Sequence, residues 1–213
     1  MTRILPGVIA MAAIVVASNI LVQFLFGNWL TWGAFIYPLS FLVTDVMNRV
    51  YGSDAARKVV FVGFIAGIVC SLIGSQIMIE VAPEVLVPAV ALRIAIGSAI
   101  AFLVAQLLDV AIFNRLRDGA WWRAPLASTL VGSTIDTALF FSIAFAGSIT
   151  VFGTAANEAV AWAGGVVPFL GVGAEAPLWV SLAVADWVVK TTIALIALVP
   201  FRLLVGKMMA NAA

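Results

Sequence analysis

Three charged side chains lie in the middle of long apolar stretches of this sequence: Asp136, Asp186 and Lys190. A charge at the centre of a membrane helix costs about 2.5–3.5 kcal/mol, so it usually faces a bundle interior or a wet cavity. Asp186 and Lys190 have i, i+4 spacing, which lets them form an ion pair on one helix face. The pair could be a structural bridge, but Asp136 is a third charge that needs a partner, which favours a binding site.

Asp136 lies about ten residues into a predicted helix, about 15 Å from the helix end. Its short side chain cannot reach the membrane surface from that depth. Ser128, Gly132 and Asp136 follow one another at i, i+4 spacing and therefore share one helix face. A narrow polar face of this kind suits either a cavity wall or close packing against another helix.

Two amides and one arginine add further candidates for ligand contact. Asn19 and Gln23 have i, i+4 spacing, and they could hold two helices together or offer donors and acceptors to a ligand. Arg93 lies near the start of a predicted helix. Its long side chain could pair with Glu80 or Glu84, or it could contact an anion.

Two more carboxylates lie closer to the ends of predicted helices. Asp45 is about 9 Å in from Tyr51 at helical rise, too deep for a simple surface anchor. Asn48 could orient Asp45 or satisfy the helix end. Asp109 lies about one turn from the end of its segment, and we interpret it as an interfacial anchor near Arg115.

The composition places the chain among integral membrane proteins. Of its 213 residues, 64% are hydrophobic and 10% are charged, whereas a soluble domain has about 25% charged residues. Mean hydropathy is +1.19. The net charge of +1 argues against a nucleic-acid surface, so no nucleic-acid partner is expected. The first apolar run is longer than a signal-peptide core of about 7–15 residues, which favours a retained helix over a cleaved signal.

The residues that most enzymes need are missing from the sequence. There is no histidine, which removes the commonest general base and metal ligand. There is no Walker A motif and no serine nucleophile with a base. We therefore expect no enzymatic activity, no metal and no cofactor. Several apolar helices with polar groups at mid-depth are typical of a transporter.

We predict an all-α, polytopic membrane protein with six transmembrane helices and one domain over residues 1–213. A spanning helix needs about 20 mostly apolar residues. Six segments qualify: Leu5–Phe26, Thr31–Val50, Val59–Ile79, Val90–Phe113, Leu126–Thr150 and Leu178–Leu198.

Positive charges occur before the first segment, after the last and at every second connection: Arg3, Arg49, Arg57, Lys58, Arg115, Arg117, Arg123, Arg202 and Lys207. The positive-inside rule therefore places both termini in the cytoplasm.

The connection Val151–Pro177 is too long to be a turn. It contains AVAWAGGVVPFL, which has about half the length needed to span a membrane. Its glycines and prolines argue against one continuous helix. We predict an external segment that lies at the interface or folds back against the helices, as a lid over a substrate entrance or as a structural plug.

Three stretches carry motifs that are specific as a set: FLVTDVMNRVYGSDAARKVV, VALRIAIGSAIAFLVAQLLDVAIFNRLRDGAWWRAPLASTLVGSTIDTALFFSIAFAG and VADWVVK. In these residues the sequence resembles the bacterial queuosine precursor transporters of the vitamin uptake transporter group. The resemblance covers predicted helices two to six. It implies a six-helix importer in the bacterial inner membrane, with the 7-deazaguanine bases preQ0 and preQ1 as substrates. By analogy, the motif positions become site candidates: Asp45, Asn48, Arg57, Arg93, Gln106, Asp109, Asp136, Asp186 and Lys190.

The candidate residues suit such a ligand. A deazaguanine has adjacent N–H donors that one carboxylate can accept, and a carbonyl that an ammonium or amide can reach. We expect Asp136 or Asp186 at that edge, with Lys190 and Asn19 or Gln23 as donors. A second carboxylate would suit the aminomethyl cation of preQ1. The candidates for an aromatic platform are Trp187, Trp32, Phe140 and Phe141.

Three ways of driving uptake are compatible with the sequence. A buried aspartate could carry a proton. Facilitated diffusion with trapping inside the cell would need no coupling ion. Alternatively, the chain could be the substrate-binding membrane subunit of an ATPase-driven, energy-coupling-factor type complex. A homodimer would explain a transporter with so few helices per chain.

Overall fold

The computed structural model describes residues 2–82 and 84–210, which are mostly helical. The helices are α1 (Leu5–Leu21), α2 (Gly33–Ile36), α3 (Leu39–Tyr51), α4 (Ser53–Gln76), α5 (Leu92–Leu116), α6 (Arg123–Phe145), α7 (Thr154–Glu158) and α8 (Leu178–Ala210). The strands are β1 (Leu25–Phe26), β2 (Leu30–Thr31), β3 (Met78–Ala82), β4 (Val85–Pro88), β5 (Val166–Pro168) and β6 (Glu175–Pro177). They pair as three antiparallel hairpins in this part of the chain, β1–β2, β3–β4 and β5–β6, which the predicted all-α fold did not include.

Within the described ranges, four helices are long and apolar enough to cross a membrane: α4, α5, α6 and α8. The outer face of α4 shows the character of a lipid-facing surface, because its large apolar side chains at Phe61, Ile65, Leu72 and Ile73 are exposed. Exposed apolar side chains on such helices are stable against lipid and costly against water. The architecture is that of a helical membrane protein.

The predicted first helix, Leu5–Phe26, is longer than the observed one. α1 ends at Leu21 and has 17 residues, slightly fewer than the roughly 20 that span a bilayer. The chain then turns into the β1–β2 hairpin. The turn passes through Gly27, whose φ of +67° is a backbone conformation that glycine adopts without steric cost.

The predicted second helix, Thr31–Val50, is interrupted at Tyr37–Pro38, so α2 and α3 are separate helices. Proline has no backbone N–H and cannot continue the helical hydrogen-bond ladder. After the break, the amides of Ser40 and Phe41 donate to carbonyls three residues back, at 2.9 and 3.2 Å. The interruption is therefore a tight turn between two helical pieces, and it lies next to the candidate site.

The remaining helices match the predicted segments with shifted ends. α4 and α5 correspond to Val59–Ile79 and Val90–Phe113, and α6 ends at Phe145 rather than at Thr150. α8 continues beyond Leu198 to Ala210. Its extension packs inward, because the Phe201 ring lies 6.1 Å from the Phe113 ring of α5. Hydropathy predicts where the apolar run ends. It does not predict that a helix continues beyond that point because its side chains pack against another helix.

Small residues allow the central helices to approach closely. A Cβ atom added to Gly97 on α5 would lie 3.3 Å from the backbone nitrogen of Ala144 on α6. One added to Gly132 on α6 would lie 2.9 Å from the ring of Phe41 on α3. Close approach of this kind is typical of helix contacts in membranes. It confirms the close-packing alternative for the Gly132 position.

The connection between α6 and α8 is folded back against the helices, which was one of the two predicted arrangements. It holds α7, two short 3₁₀ turns and the β5–β6 hairpin, and is therefore not one continuous helix. Val160 and Ala163 are buried in a cluster with Phe141 and Phe145. The Trp162 ring contacts the Phe145 ring at a centroid distance of 5.5 Å. This segment is packed like a structural plug.

Candidate functional site

The ammonium group of Lys190 on α8 joins the two mid-depth carboxylates. Its Nζ atom lies 2.6 Å from Oδ2 of Asp136 and 2.5 Å from Oδ2 of Asp186. The i, i+4 pair of Asp186 and Lys190 and the need of Asp136 for a partner are both confirmed. Two carboxylates and one ammonium leave a formal charge of −1 on this charge network.

Two hydroxyl groups hold the charge network in place. The Tyr37 hydroxyl donates to Oδ1 of Asp136 at 2.8 Å. The Thr137 hydroxyl donates to Asp186 at 2.8 Å and accepts from Lys190 at 3.1 Å. The Lys190 ammonium also lies 5.2 Å from the centroid of the Tyr37 ring, within cation–π range. These contacts connect the turn before α3 to α6 and α8, and hydrogen bonds to charged groups are among the stronger ones.

A cavity of about 490 Å³ has this charge network at its floor. Its lining extends along α8 from Leu178 to Lys190, a length of about 18 Å at helical rise. Lys190 is 4% exposed, whereas Leu25 at the rim is 78% exposed. The cavity is therefore closed at its charged end and open near the β1–β2 hairpin, with a volume in the usual range for small-molecule sites.

Aromatic rings form much of the cavity wall. They are Trp29, Tyr37, Phe64, Phe102, Phe140, Phe141, Phe145 and Trp162. Phe140 and Phe141 were predicted as a platform, and the structure places both in the wall. Flat rings of this kind can stack on a planar heterocycle while polar groups elsewhere read its edges.

The two amides of α1 and its C-terminal turn also line the cavity. The Asn19 amide nitrogen donates to the Val15 carbonyl at 2.9 Å, which leaves its side-chain oxygen to accept a hydrogen bond. Gln23 is exposed near the rim. Gly33 lets α2 approach this wall, because an added Cβ atom would lie 2.7 Å from the Ser18 carbonyl oxygen.

A second buried carboxylate cluster lies about two turns away along α6. Asp45 on α3 accepts hydrogen bonds from the hydroxyls of Ser128 and Thr129 at 3.1 and 3.0 Å. Asp109 on α5 lies beside it and is fully buried. Neither residue lines the large cavity, so the structure separates them from Asp136 and Asp186.

Among residues 2–82 and 84–210, no three histidine, cysteine, aspartate or glutamate side chains are grouped closely enough to hold a metal ion. The side chains that line the cavity can supply hydrogen bonds, ion pairs and aromatic stacking.

Comparison with known proteins gives the site its context. The family described as "Putative vitamin uptake transporter" matches residues 31–205, most of the chain. The chain belongs to this vitamin uptake transporter family. The family and the relatives below are described as transporters, which agrees with the expectation that the chain is not an enzyme.

Three relatives are similar over most of this transporter. The "Queuosine precursor transporter" of Escherichia coli (strain K12) is 33% identical, covering 88% of this chain and 79% of that protein. A "Probable queuosine precursor transporter" of Haemophilus influenzae is 35% identical, covering 80% and 66%. Another, of Bacillus subtilis (strain 168), is 27% identical, covering 88% and 76%. No solved structure matches the chain.

Seven of the residues predicted from sequence lie in the cavity wall of the transporter: Asn19, Gln23, Asp136, Phe140, Phe141, Asp186 and Lys190. Gln106 and Asn48 instead connect α3 to α5. The Gln106 amide donates to the Ser40 hydroxyl at 2.8 Å and accepts from Thr44 at 2.6 Å. Asn48 donates to the Val110 carbonyl at 3.1 Å. Both are fully buried and hold the packing behind the cavity.

Arg93 caps the end of α6 instead of pairing with Glu80 or Glu84. Its guanidinium donates to the carbonyls of Ile143 and Ala146 and to the Asn157 side chain, at 2.8–3.0 Å. Carbonyls at a helix C-terminus have no intrahelical partner, and they attract positive charge. Among the described residues, Arg93 forms no ion pair, and it does not line the cavity.

Trp187 lies on the outer surface rather than in the cavity. It is 40% exposed, and its indole nitrogen donates to the Thr134 hydroxyl at 2.9 Å. Trp32 is also exposed, and it packs against Phe26 and Phe35 near the hairpin. Residues adjacent in a helix point about 100° apart, so Trp187 cannot share the face of its neighbour Asp186.

Several residues of the cavity were not predicted from the sequence, among them Tyr37, Trp29 and Trp162. Trp29 and Trp162 lie in connections whose folding no helix periodicity describes. Tyr37 carried one usable signal, because it is a polar aromatic residue directly before a proline inside an apolar segment. Such a break in a membrane helix exposes polar backbone, and it is tolerated mainly where the backbone is buried in protein or lines a cavity.

Proposed function

We propose that this chain imports 7-deazaguanine precursors of queuosine, preQ0 or preQ1, across the bacterial inner membrane. One observation carries the proposal: a cavity with aromatic walls whose buried floor holds Lys190 between two carboxylates. The names of the relatives in three bacteria support the substrate class.

The cavity offers what a deazaguanine needs. Asp186 keeps acceptor capacity on the cavity side, since 14% of its side chain is exposed. It can accept the ring N–H and exocyclic amine together. The second amide hydrogen of Asn19 can serve the carbonyl edge, and Phe140 and Phe141 can stack on the ring plane.

The charge of the cavity favours the cationic ligand. The network carries a formal charge of −1, and the described lining residues include no cation besides Lys190. A ligand with an aminomethyl cation would neutralise that charge in a low-dielectric site, where charge pairing is strong. We therefore expect preQ1 to bind more tightly than the uncharged preQ0.

The membrane arrangement is part of the same proposal. We propose six crossing segments, with α1 and the α2–α3 pair joining the four long helices, and both termini in the cytoplasm. In that orientation the cavity opens at the external end, opposite the basic residues that include Arg49 and Arg117. The α6–α8 connection is then external, with Trp162 at the cavity wall. One large cavity in each chain is compatible with a homodimer of independent sites.

Binding to the purified protein tests the proposal. The panel is preQ0, preQ1, guanine and adenine, with Asp136→Asn and Lys190→Met as site variants. Asp54→Asn and Lys58→Met are matched controls, because both residues are exposed. We expect deazaguanines to bind in preference to adenine, the site variants to lose binding, and the controls to retain it. Equal binding of all four bases, or full binding by both site variants, would contradict the proposed site.

Transport by the isolated chain separates the proposal from the ATPase-subunit alternative. Purified protein in liposomes, without any partner, should move labelled preQ1 across the membrane. In cells without their own importer, expression should raise preQ1 uptake above background. Binding without movement in liposomes, together with uptake in cells only when an ATPase partner is present, would favour the energy-coupling-factor type of subunit.

A further inference from the structure

The second buried cluster, formed by Asp45, Asp109, Ser128 and Thr129, has a feature that substrate binding does not explain. Asp45 is 3% exposed and Asp109 is fully buried. Both carboxyl groups face the same stretch of α6. Asp45 bonds to Ser128 and Thr129, and the Cβ atom of Asp109 lies 3.4 Å from where a Cβ atom on Gly132, one turn beyond Ser128, would be. Burying one unpaired carboxylate is already costly, and burying two together adds like-charge repulsion.

The hydrogens available to this cluster do not suffice for two carboxylates. Each hydroxyl has one hydrogen to donate. Ser128 and Thr129 both donate to Asp45, and Ser128 has the Pro125 carbonyl as its alternative acceptor at 3.3 Å. Among residues 2–82 and 84–210, no donor reaches either oxygen of Asp109. One additional hydrogen between the carboxyl groups would give Asp109 its missing bond.

In the described part of the chain, the nearest cation is Arg49, which forms no ion pair with either carboxylate. Arg49, one turn beyond Asp45 on α3, directs its guanidinium to the Arg117 carbonyl and lies over the Phe113 ring. Arg117 in turn donates to the carbonyls of Asn48 and Arg49. The side chains that α6 and α8 contribute here are not titratable: Pro125, Ser128, Thr129, Ala194, Ala197, Leu198 and Phe201. Within the described ranges, neither carboxylate forms an ion pair.

We propose that Asp45 and Asp109 share one exchangeable proton and form the coupling-ion site of the transporter, separate from the substrate cavity. Two carboxylates in one site hold a proton between them because both cannot ionise at close range. The coupling role rests on the proposed function, whereas the shared proton does not.

Helix α6 and the chain from Tyr37 into α3 connect this site to the cavity. Tyr37 precedes the Pro38 turn and donates to Asp136 on α6. Asp45 follows the turn and accepts from Ser128 and Thr129, also on α6. Thr129 and Asp136 are about 10 Å apart along α6 at helical rise. Loss of the proton would leave both Asp45 and Asp109 negatively charged, so that they repel each other. The repulsion would push α3 away from α5 and thereby strain the bond of Tyr37 to the cavity floor.

A narrow crevice reaches the site. It has a volume of about 10 Å³, lies between α3, α6 and α8, and reaches Asp45 and Thr129. That volume is close to the smallest space that admits one water molecule. A water molecule held there could exchange a proton with Asp45, whereas a deazaguanine does not fit in the space.

Infrared spectroscopy tests the shared proton without any substrate. The wild-type protein in lipid should show the C=O stretch of a protonated carboxylic acid near neutral pH, and the band should disappear at high pH. Asp45→Asn and Asp109→Asn should each remove it, and Asp54→Asn, at an exposed position, should leave it unchanged. Absence of the band in the wild-type protein, or its persistence in both variants, would overturn the proposal. So would a band that is abolished by sodium but not by potassium, which would indicate a sodium site.

Transport in liposomes tests the coupling. A pH gradient should drive preQ1 accumulation by the wild-type protein. In Asp109→Asn, gradient-driven accumulation should be lost while exchange of preQ1 between equal internal and external pools continues. Exchange also verifies that the variant is folded, and Asp109→Glu should partly restore accumulation. If preQ1 accumulation by the wild-type protein does not depend on the pH gradient, the proposed coupling is wrong. If the wild-type protein binds no preQ1 but shows the infrared band, the proposed function is wrong and the shared proton is still supported.

Discussion

Replacing Lys190 with methionine is the most direct test of the charge network. The change keeps much of the apolar stem and removes the only cation that contacts Asp136 and Asp186 among the described residues. The two carboxylates then remain at the cavity floor, held by the hydroxyls of Tyr37 and Thr137 alone.

The expected loss of stability can be estimated in two ways from the contacts of the Lys190 ammonium. Removing one partner of a buried ion pair costs about 3–5 kcal/mol, because the other charge stays buried without compensation. Lys190 also donates two hydrogen bonds, one to the Asp136 carboxylate and one to the Thr137 hydroxyl, and bonds that involve a charged group contribute about 1.5–3 kcal/mol each. Both estimates agree on a loss of about 3–5 kcal/mol. For a chain of this length, that corresponds to a fall in unfolding midpoint of roughly 10 °C.

The measurement is thermal unfolding in detergent, followed by the fluorescence of the seven tryptophans. Lys58→Met serves as the control, because the same chemical change is made at an exposed position. A triple variant, Asp136→Asn with Asp186→Asn and Lys190→Met, removes all three charges. It should recover most of the lost stability while its binding of preQ1 stays abolished.

Two outcomes would refute the reasoning. If Lys190→Met unfolds at the wild-type midpoint, the carboxylates do not need its charge. If the triple variant is as unstable as the single one, the loss comes from packing rather than from charges left unpaired.

Three further changes test neighbouring parts of the structure. Tyr37→Phe removes the hydroxyl that donates to the cavity carboxylate, and it should cost about 1.5–3 kcal/mol, measured as a lower midpoint and weaker preQ1 binding; unchanged binding would argue against that bond. Gly33→Leu should force α2 away from the α1 backbone and reduce binding, whereas Gly206→Leu, with open space around it, should not. Arg93→Lys should lower the midpoint, since one ammonium cannot reach two carbonyls and an amide as the planar guanidinium does; Arg123→Lys at an exposed position is its control.

The residues of the charge network could be predicted because they depend on local geometry. Helical spacing brings Asp186 and Lys190 together whatever surrounds them, and the cost of a buried charge requires a partner for Asp136. Their joint position at the floor of one cavity could not be derived in this way. It depends on how α6 and α8 pack, which the sequence describes only through small residues and polar faces.

Tyr37 and Arg93 show where the sequence carried too little information. The partner of Tyr37 is 99 residues away, and neither periodicity nor charge pairing connects the two. Arg93 finds backbone carbonyls rather than carboxylates. Every helix end presents such carbonyls, so composition cannot single out the one that an arginine will cap.

The interruption at Pro38 has a consequence for selectivity. In an uninterrupted helix the amide of residue 38 would donate to the carbonyl of Ala34, but proline has no hydrogen to give. Ala34 lines the cavity. The break therefore removes the donor that helical geometry would offer to the Ala34 carbonyl, whichever side chain stands at residue 34. We expect a ligand N–H to bond to this carbonyl, and Pro38→Ala, which restores the donor, to weaken ligand binding.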